Sequence, residues 1–274
     1  MDEEIGQLLN YSQLRTHPNF THIWNQPYSN EICHLYQGVG NDKDGTGKRI
    51  DGTNTFRIIH YNDISQERRK EIPYTSVVCE VRPQEEDPNR TCTTVGGNQI
   101  FYLGDTGTNN APIELVKTII NILLSRSGAN FACFDVKNFY LGTLLDRLEH
   151  AKIRLYNIPQ EFVDEYNLTH FVTNGWIYFM IRKGIYGLPQ SGRLTNDQIC
   201  AHLEKECYYE AATTPGLWRH KWRPIMFSLI VDEFGVKYVG KRHLDHIASV
   251  LRKYHDITID WEVTKYAGIY LMWN

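Results

Sequence analysis

The most regular pattern of apolar positions in the first half of the chain follows Pro112. The residues that recur there at helical spacing are Leu115, Val116, Ile119, Ile120, Leu123 and Leu124. A proline suits the first turn of a helix, and Gly128 lies just past the last apolar position, where helices commonly end. The pattern therefore predicts an amphipathic helix between Pro112 and Gly128.

Unbroken apolar runs in the second half of the chain predict buried strands. Residues 131–134 (FACF) form one run, which ends at Asp135, and residues 176–181 (WIYFMI) form another. Two more apolar segments flank the adjacent carboxylates Asp232 and Glu233. Short runs of this kind are typical of strands, so the last two segments predict a hairpin with two acidic residues at its tip.

Two helices and a final strand complete the pattern in the second half. Ile199 and Leu203, one helical turn apart, predict a helix over about 193–206. A second amphipathic helix is predicted from the spacing of Leu244, Ile247, Ala248 and Leu251. Residues 266–273 predict a strand. Without the strand at 176–181, the order of elements is strand, helix, strand, strand, helix, strand.

This order is that of a split β-α-β unit in a ferredoxin-like antiparallel sheet. The first and third strands of such a sheet are antiparallel neighbours, so the end of the first lies beside the start of the third. Asp135 is therefore expected beside Asp232 and Glu233. Carboxylates this close repel one another, and two divalent cations would balance them; Mg²⁺ prefers such oxygen ligands. The predicted fold class is α+β, with the helices on one face of the sheet.

The first half contains a long polar loop and a pair of extended segments. Residues 38–54 are rich in Gly, Asp and Asn but lack the spacing of a phosphate loop or a calcium loop, so they predict a solvated loop. Residues 74–82 predict a strand, and residues 85–91 predict a turn. The extended segment after this turn ends at Gly96.

Composition and charge narrow the class of protein. A chain of 274 residues with 42% hydrophobic content can bury a core and suits one domain or two closely joined lobes. The net charge of −3 argues against a protein that coats nucleic acid, although basic residues cluster in 66–71 and 217–223. Six scattered cysteines without a C-x-x-C pair, and no long apolar run, predict a reduced, intracellular, cytoplasmic protein with no membrane contact.

Several segments together resemble a known enzyme family. The segments are FDVKNFYLGT (134–143), KGIYGLPQSGR (183–193), LIVDEFGVKYVG (229–240), YAGIYL (266–271), VVCEVRPQEEDPNRTCTTVGG (77–97) and NEICHLYQGVG (30–40). In order and spacing they resemble the reverse-transcriptase domain of the Pol polyprotein of LTR retrotransposons, with the Ty1/copia branch the best fit. The resemblance implies an RNA-directed DNA polymerase, a nucleotidyltransferase that acts on an RNA or DNA template-primer and deoxynucleoside triphosphates.

The resemblance also implies an organisation into subdomains. Residues 1–54 would form a leader, residues 55–130 the fingers, and residues 131–274 a polymerase palm that ends near the primer grip. The palm would include the substrate loop at 183–192. No thumb or RNase H segment is expected in this sequence, and other parts of a Pol polyprotein are expected partners.

The resemblance assigns the metal ligands. Asp135 and Asp232 would hold two Mg²⁺ ions, for which Mn²⁺ could substitute, with help from the carbonyl of Val136. Two such ions stabilise the attacking and the leaving oxygen in phosphoryl displacement. Glu233 stands where the family has a second Asp, and Ile230 where it commonly has Tyr, so the site departs from the family pattern twice.

The resemblance also implies nucleotide contacts. Tyr140 matches the aromatic gate that excludes a 2′-hydroxyl, and the backbone at Phe139 would face the triphosphate. Gln190 matches the glutamine that contacts the incoming nucleotide, and Arg90 would bind the triphosphate. Cys92 stands where a second basic residue is expected, which would weaken that grip.

Each assignment has a plainer alternative. Asp135 could cap a turn, Tyr140 could belong to the core, Gln190 could be a loop-capping amide, and Arg90 could be a solvated surface charge. As a whole, the chain could be a noncatalytic remnant or a domesticated nucleic-acid-binding module that retains the fold. A third possibility is a different two-metal nucleotidyl enzyme on the same sheet.

Two further features invite a functional interpretation that the sequence does not favour. His243 and His246 are three residues apart on the last predicted helix, a spacing that superficially resembles a metal site. A helix face beside its partner strand is the commoner setting. Lys265 could act as a general acid near a leaving pyrophosphate, or it could be an exposed lysine at a strand start.

Overall fold

The computed structural model describes residues 9–39, 50–83 and 88–273, which form a mixed α/β structure with several antiparallel sheets. The chain divides into two units, each made of two segments. The first unit is Met1–Asp105 with Thr143–Ser191, and the second is Thr106–Gly142 with Gly192–Asn274. The boundaries predicted at residues 54 and 130 separate leader, fingers and palm in the polymerase family. They are of a different kind from the division into two units, and they stay a prediction.

The described residues contain six α-helices and fifteen strands. The helices are α1 (Tyr11–Leu14), α2 (Thr21–Leu35), α3 (Ile113–Leu124), α4 (Gln160–Glu165), α5 (Ser191–Lys205) and α6 (Lys241–Arg252). The strands are β1 (Gly38–Val39), β2 (Ile50–Asp51), β3 (Phe56–Ile59), β4 (Thr75–Val81), β5 (Asn89–Val95), β6 (Ala129–Val136), β7 (Leu144–Arg154), β8 (Trp176–Lys183), β9 (Tyr208–Glu210), β10 (Leu217–His220), β11 (Ile225–Ile230), β12 (Glu233–Val239), β13 (Ile257–Asp260), β14 (Lys265–Tyr266) and β15 (Ile269–Tyr270).

The first unit is built on a three-stranded antiparallel sheet in the order β3-β8-β7. The apolar run predicted as a strand forms β8, and its side chains Ile177, Phe179 and Ile181 are buried. The predicted pair of extended segments forms the ribbon β4–β5. Most of the predicted solvated loop, residues 40–49, lies outside the described residues, as do residues 84–87 of the predicted turn.

The second unit contains a six-stranded antiparallel sheet in the order β13-β6-β12-β11-β10-β9. Four neighbouring strands of this sheet, β13, β6, β12 and β11, belong with the helices α5 and α6. Along the chain these elements follow in the order β6-α5-β11-β12-α6-β13. This is the strand order and helix placement expected for a split β-α-β unit. The first and third strands, β6 and β12, are antiparallel neighbours, as predicted.

Helices α5 and α6 cover one face of this sheet. Ile199 and Leu203 of α5 and Leu244 and Ile247 of α6 are fully buried in a core that also includes Phe134 of β6. Their spacing gives each helix one apolar stripe, and burial of such a side chain contributes about 1.5–3 kcal/mol. The two helices predicted from this spacing are therefore confirmed.

Helix α3 packs on the other face, which we call the carboxylate face because Asp135 and Glu233 project from it. Val116 and Ile119 of α3 are buried against Phe131 of β6 in a second cluster. The helix predicted after Pro112 is confirmed; it lies outside the split β-α-β unit, whose two helices α5 and α6 share one face as expected. Strand β6 is buried on both sides for this reason, which explains its unbroken apolar run.

The end of the chain differs from the prediction. The outer strand of the split β-α-β unit is β13, at Ile257–Asp260, and not the segment 266–273. That segment contributes to the short hairpin β14–β15 instead. Strand β13 has only four residues and alternates half-buried with exposed positions, so it lacks the apolar run that marks β6.

None of the helices in the described part of the chain combines the length and the apolar content needed to cross a lipid bilayer. All six cysteines lie in the described residues and are unpaired.

Candidate active site

A two-residue turn, Val231–Asp232, joins β11 to β12. Asp232 is the first residue of the adjacent acidic pair Asp232 and Glu233. Val231 has a φ of 55°, in the left-handed region that branched side chains rarely adopt. Such a conformation costs roughly 1–2 kcal/mol. The backbone N–H of Val231 donates to the side-chain oxygen of Asn110 at 2.9 Å, and the N–H of Ala111 donates to the carbonyl of Leu229 at 2.9 Å. The segment before α3 therefore holds the strained turn in place.

Asp135 and Glu233 lie directly opposite each other on β6 and β12. The N–H of Val136 donates to the carbonyl of Asp232 at 3.0 Å, which makes Val136 and Asp232 a hydrogen-bonded pair. Asp135 and Glu233 then form the adjacent pair without ladder hydrogen bonds, in which facing side chains come closest. Both side chains are exposed. The expected juxtaposition of these carboxylates thus follows from the observed register.

The carboxylates at this end of the sheet disfavour one another's ionised forms. Burial, and then the charge of Asp135, raise the pKa of Asp232. Burial raises the pKa of Glu233, as do the charges of Asp232 and Asp135, whereas Lys265 lowers it. Three negative groups that interact in this way would be stabilised by a cation.

A cleft of about 160 Å³ lies on the carboxylate face beside Asp135 and Glu233. Thr258 of β13 is the residue paired with Asp135 on its other side, so the row across the sheet reads Thr258, Asp135, Glu233 and Ile230. Sequence analysis missed Thr258 and Asp260. The polar residues alternate with isoleucine in ITID (257–260), and this alternation is the signal that could have revealed them.

Tyr266 forms one wall of the cleft. Its hydroxyl lies 2.9 Å from the hydroxyl of Ser228, and its ring lies over Gly235. A Cβ atom at Gly235 would come within 2.4 Å of that ring, so this position on β12 requires glycine. The packing places Lys265, the preceding residue, at the cleft.

Four of the residues that line the cleft offer hard oxygen donors of the kind that Mg²⁺ or Mn²⁺ takes: Asp135, Glu233, Thr258 and Asp260. Cys133 also lines it, but burial raises the pKa of this thiol, which keeps it protonated and a poor ligand. Within the described residues, no three His, Cys, Asp or Glu side chains are already arranged as a metal-binding group. Mg²⁺ usually takes only one or two carboxylates from a protein and completes its shell with water or substrate, so Asp135 and Glu233 are the residues that could hold it here.

Three of the residues predicted to contact the nucleotide lie in the same unit as the carboxylates. Tyr140 is half-buried against the core under α5 and α6, and burial, followed by the charge of Asp232, raises its pKa. The side chains of Val136 and Phe139 are buried in the core. Any contact from these two residues would come from the backbone, which turns at Asn138 with a φ of 53°.

Gln190 belongs to the first unit and is fully buried. Its side-chain N–H donates to Glu149 at 2.9 Å, and its side-chain oxygen has no partner among the described residues. Glu149 is itself buried and also accepts from Arg68 and Arg147. In this arrangement Gln190 anchors its loop, as in the plainer alternative, and a nucleotide would reach it only after a rearrangement.

Arg90 also belongs to the first unit, on the exposed side of β5 opposite Glu80. Its charge lowers the pKa of the partly buried Glu31, although burial raises that pKa more. Cys92 is partly buried, and burial raises its pKa to about 12. The thiol is therefore neutral at physiological pH and does not supply the missing positive charge.

The two histidines of α6 have separate partners. His246 lies 2.9 Å from the hydroxyl of Tyr208 through Nδ1. His243 contacts Arg223 and Arg242. They do not form a metal-binding pair within the described residues.

A scan against protein-family models found no match to this chain, and a search of curated proteins found none either. The functional assignment therefore depends on the residues and geometry described above.

Proposed function

We propose that the chain is the fingers and palm of an RNA-directed DNA polymerase of Ty1/copia-like origin. The observation that carries the proposal is the register that sets Glu233 opposite Asp135, with Asp232 in the adjoining strained turn. The split β-α-β sheet would then be a polymerase palm. Tyr140, whose pKa the charge of Asp232 helps to raise, would be the gate that favours deoxynucleotides.

The proposed chemistry is nucleotidyl transfer to a primer 3′-hydroxyl. Asp135 and Asp232 would hold two Mg²⁺ ions, with Glu233 as a further ligand. When bound, such ions lower the pKa of the attacking hydroxyl and stabilise charge on the leaving oxygen. Asp135 and Glu233, fixed by the sheet, would supply a rigid frame for that alignment, since a misplacement of about 1 Å can cost roughly 100-fold in rate.

The proposal predicts that Asp135→Asn abolishes RNA-templated primer extension in Mg²⁺ or Mn²⁺. The expected loss is roughly 100-fold or more, because the variant removes a carboxylate from the metal frame. The measurement is extension of a labelled DNA primer by the full chain. Asp245→Asn on the exposed side of α6 is the matched control and should extend normally. Extension that survives Asp135→Asn would show that the site is misplaced.

A noncatalytic nucleic-acid-binding remnant is the second candidate. The observations that favour it are the buried, hydrogen-bonded Gln190 and the row in which Ile230 and Glu233 both depart from the family pattern. An intact site binds deoxynucleotides in a Mn²⁺-dependent way, and a remnant does not. If the unmodified chain does not extend primers because the Glu233 side chain is too long, Glu233→Asp should restore extension.

A further inference from the structure

A second group of functional residues lies at the turn 221–224, between β10 and β11. Strand β11 has six residues, so this turn is about 20 Å from the acidic turn at its other end. Trp222 is 69% exposed, which is unusual for so large an aromatic side chain. Lys221 and Arg223 flank it.

His220 builds the turn that presents Trp222. Its Nδ1 accepts from the backbone N–H groups of Trp222 and Arg223, both at 3.3 Å, and its ring also donates to the carbonyl of Glu206. The imidazole is buried and has both nitrogens satisfied, so it is held in one tautomer. Because the turn is fixed from below, the indole is held outward with its edge contact to His220 at 4.8 Å.

Arg223 lacks a carboxylate partner in the described residues. Its Nη1 lies 3.4 Å from Nδ1 of His243, while Nε of Arg242 lies 3.2 Å from the other nitrogen of the same ring. A neutral imidazole has one acceptor nitrogen, so it can satisfy one of these two guanidinium groups. The Nε of Arg223 is buried and has no partner among the described residues. Arg223 is only half-buried, so the solvent-facing part of its guanidinium is left to bind an incoming acceptor.

The charge around Arg223 is positive. Burial and the charge of Arg223 lower the pKa of His220 to about 4, and burial and nearby arginines lower the pKa of His243. Glu206 is the nearby acid, and it is ion-paired with Lys253. A guanidinium without an acid partner, beside an exposed aromatic ring, complements a phosphate group beside a base.

We propose that Trp222, Arg223, Lys221 and Arg242 form a binding surface for single-stranded nucleic acid. A base stacks on the indole, and the adjoining phosphate binds the arginines. An acidic polypeptide would use the same cations but gains little from the exposed ring, so the ring favours a polynucleotide. The surface is separate from the carboxylate cleft and does not depend on the proposed polymerase activity.

The test measures binding of a fluorescently labelled oligothymidylate of about 12 nucleotides to the full chain in EDTA. Fluorescence anisotropy of the label reports the bound fraction. Trp222→Ala should weaken binding by about 5- to 150-fold, because stacking of a base on an aromatic ring contributes about that factor. Arg223→Gln should reduce the slope of log K against log salt by about 0.7. Binding should also quench the fluorescence of Trp222.

Two variants serve as matched controls. Tyr254→Ala removes an exposed ring that is already stacked on His202 at 3.6 Å, and Lys117→Gln removes a charge from α3, on the other face of the sheet. Both should bind the oligonucleotide as the unmodified chain does. Circular dichroism verifies that each variant is folded.

The proposal is overturned if the chain does not bind the oligonucleotide, or if Trp222→Ala binds it with unchanged affinity. It is also overturned if polyglutamate displaces the labelled oligonucleotide as well as unlabelled oligonucleotide does, and if Trp222→Ala does not change the affinity for polyglutamate. That result would identify an acidic protein partner. A chain that binds in EDTA but does not extend primers would contradict the polymerase proposal alone.

Discussion

At the scale of single residues, the candidate site combines two destabilising features. Val231 adopts a left-handed backbone conformation, and beside it burial and neighbouring carboxylate charge raise the pKa values of Asp232 and Glu233. Strained backbone and like charges persist where the surrounding structure holds them, and such places are often functional. Here Asn110 and the strands β6 and β12 provide that support.

Removal of one charge should therefore stabilise the protein at neutral pH. The pKa of Asp232 is raised from 3.8 and that of Glu233 from 4.5, so the folded state binds protons more readily than the unfolded state. Stability is then lost as pH rises from the unfolded pKa values through the raised ones. Asp135→Asn should increase the free energy of unfolding by roughly 0.2–1 kcal/mol at pH 7, the usual size of a cross-strand charge effect.

That gain should vanish near pH 3, where Asp232 and Glu233, whose pKa values are raised in the folded state, are largely protonated in both states. Urea unfolding in EDTA at the two pH values measures it, with Asp245→Asn as the control that should change little. A variant that is destabilised at both pH values would mean that Asp135 contributes favourable contacts rather than repulsion.

Sequence alone predicted the close approach of Asp135 and Glu233. The apolar run of β6 ends at Asp135, and that of β12 begins just after Glu233. Once these strands are known to be antiparallel neighbours, the two acidic residues must lie side by side. It did not predict the burial of Gln190. That burial depends on Glu149, Arg68 and Arg147, which come from separate parts of the chain. No local spacing encodes such a network, so its members could be recognised only in the folded structure.

At the scale of elements, the contact between β12 and the hairpin β14–β15 shapes the cleft. Gly235→Ala should displace the ring of Tyr266 and reduce the free energy of unfolding by about 1–3 kcal/mol, the usual cost of overpacking. Gly142→Ala is the control, because a Cβ there would meet no atom within 4 Å. Urea unfolding measures both.

A double variant separates the clash from other effects. Tyr266→Leu, which removes the ring, should make Gly235→Ala cost much less than it does in the unmodified chain. Equal costs in the two backgrounds would show that glycine is needed at this position for a reason other than the ring.

The elements that sequence predicted well are those with long apolar stripes or unbroken runs, namely α3, α5, α6, β6 and the hairpin β11–β12. The outer strand β13 was missed because its four residues alternate and carry little apolar signal. The side of the sheet on which α3 packs was also missed. An amphipathic stripe shows that one side of a helix is buried, but it does not identify the surface against which the helix packs.

At the scale of the whole molecule, each unit is assembled from two segments, so the chain passes between the units three times. The first unit has a buried charge network centred on Glu149, and the second has the six-stranded sheet. Loss of one partner from a buried ion pair leaves uncompensated charge and costs roughly 3–5 kcal/mol, whereas an exposed pair contributes about 1 kcal/mol or less.

Arg68 and Arg147 are partly exposed and Arg68 also pairs with Glu71, so Glu149→Gln should lower the stability of the first unit by about 1–3 kcal/mol, the usual cost of unsatisfied buried groups. Amide hydrogen exchange should show the loss of protection in β7 and β8, which flank the network, with β11 and β12 of the second unit affected much less. Glu80→Gln is the matched control, because it breaks the exposed pair with Arg82 and should leave exchange nearly unchanged. Equal loss of protection in both units would mean that they unfold together, and it would remove the basis for treating the network and the carboxylate site as energetically separate.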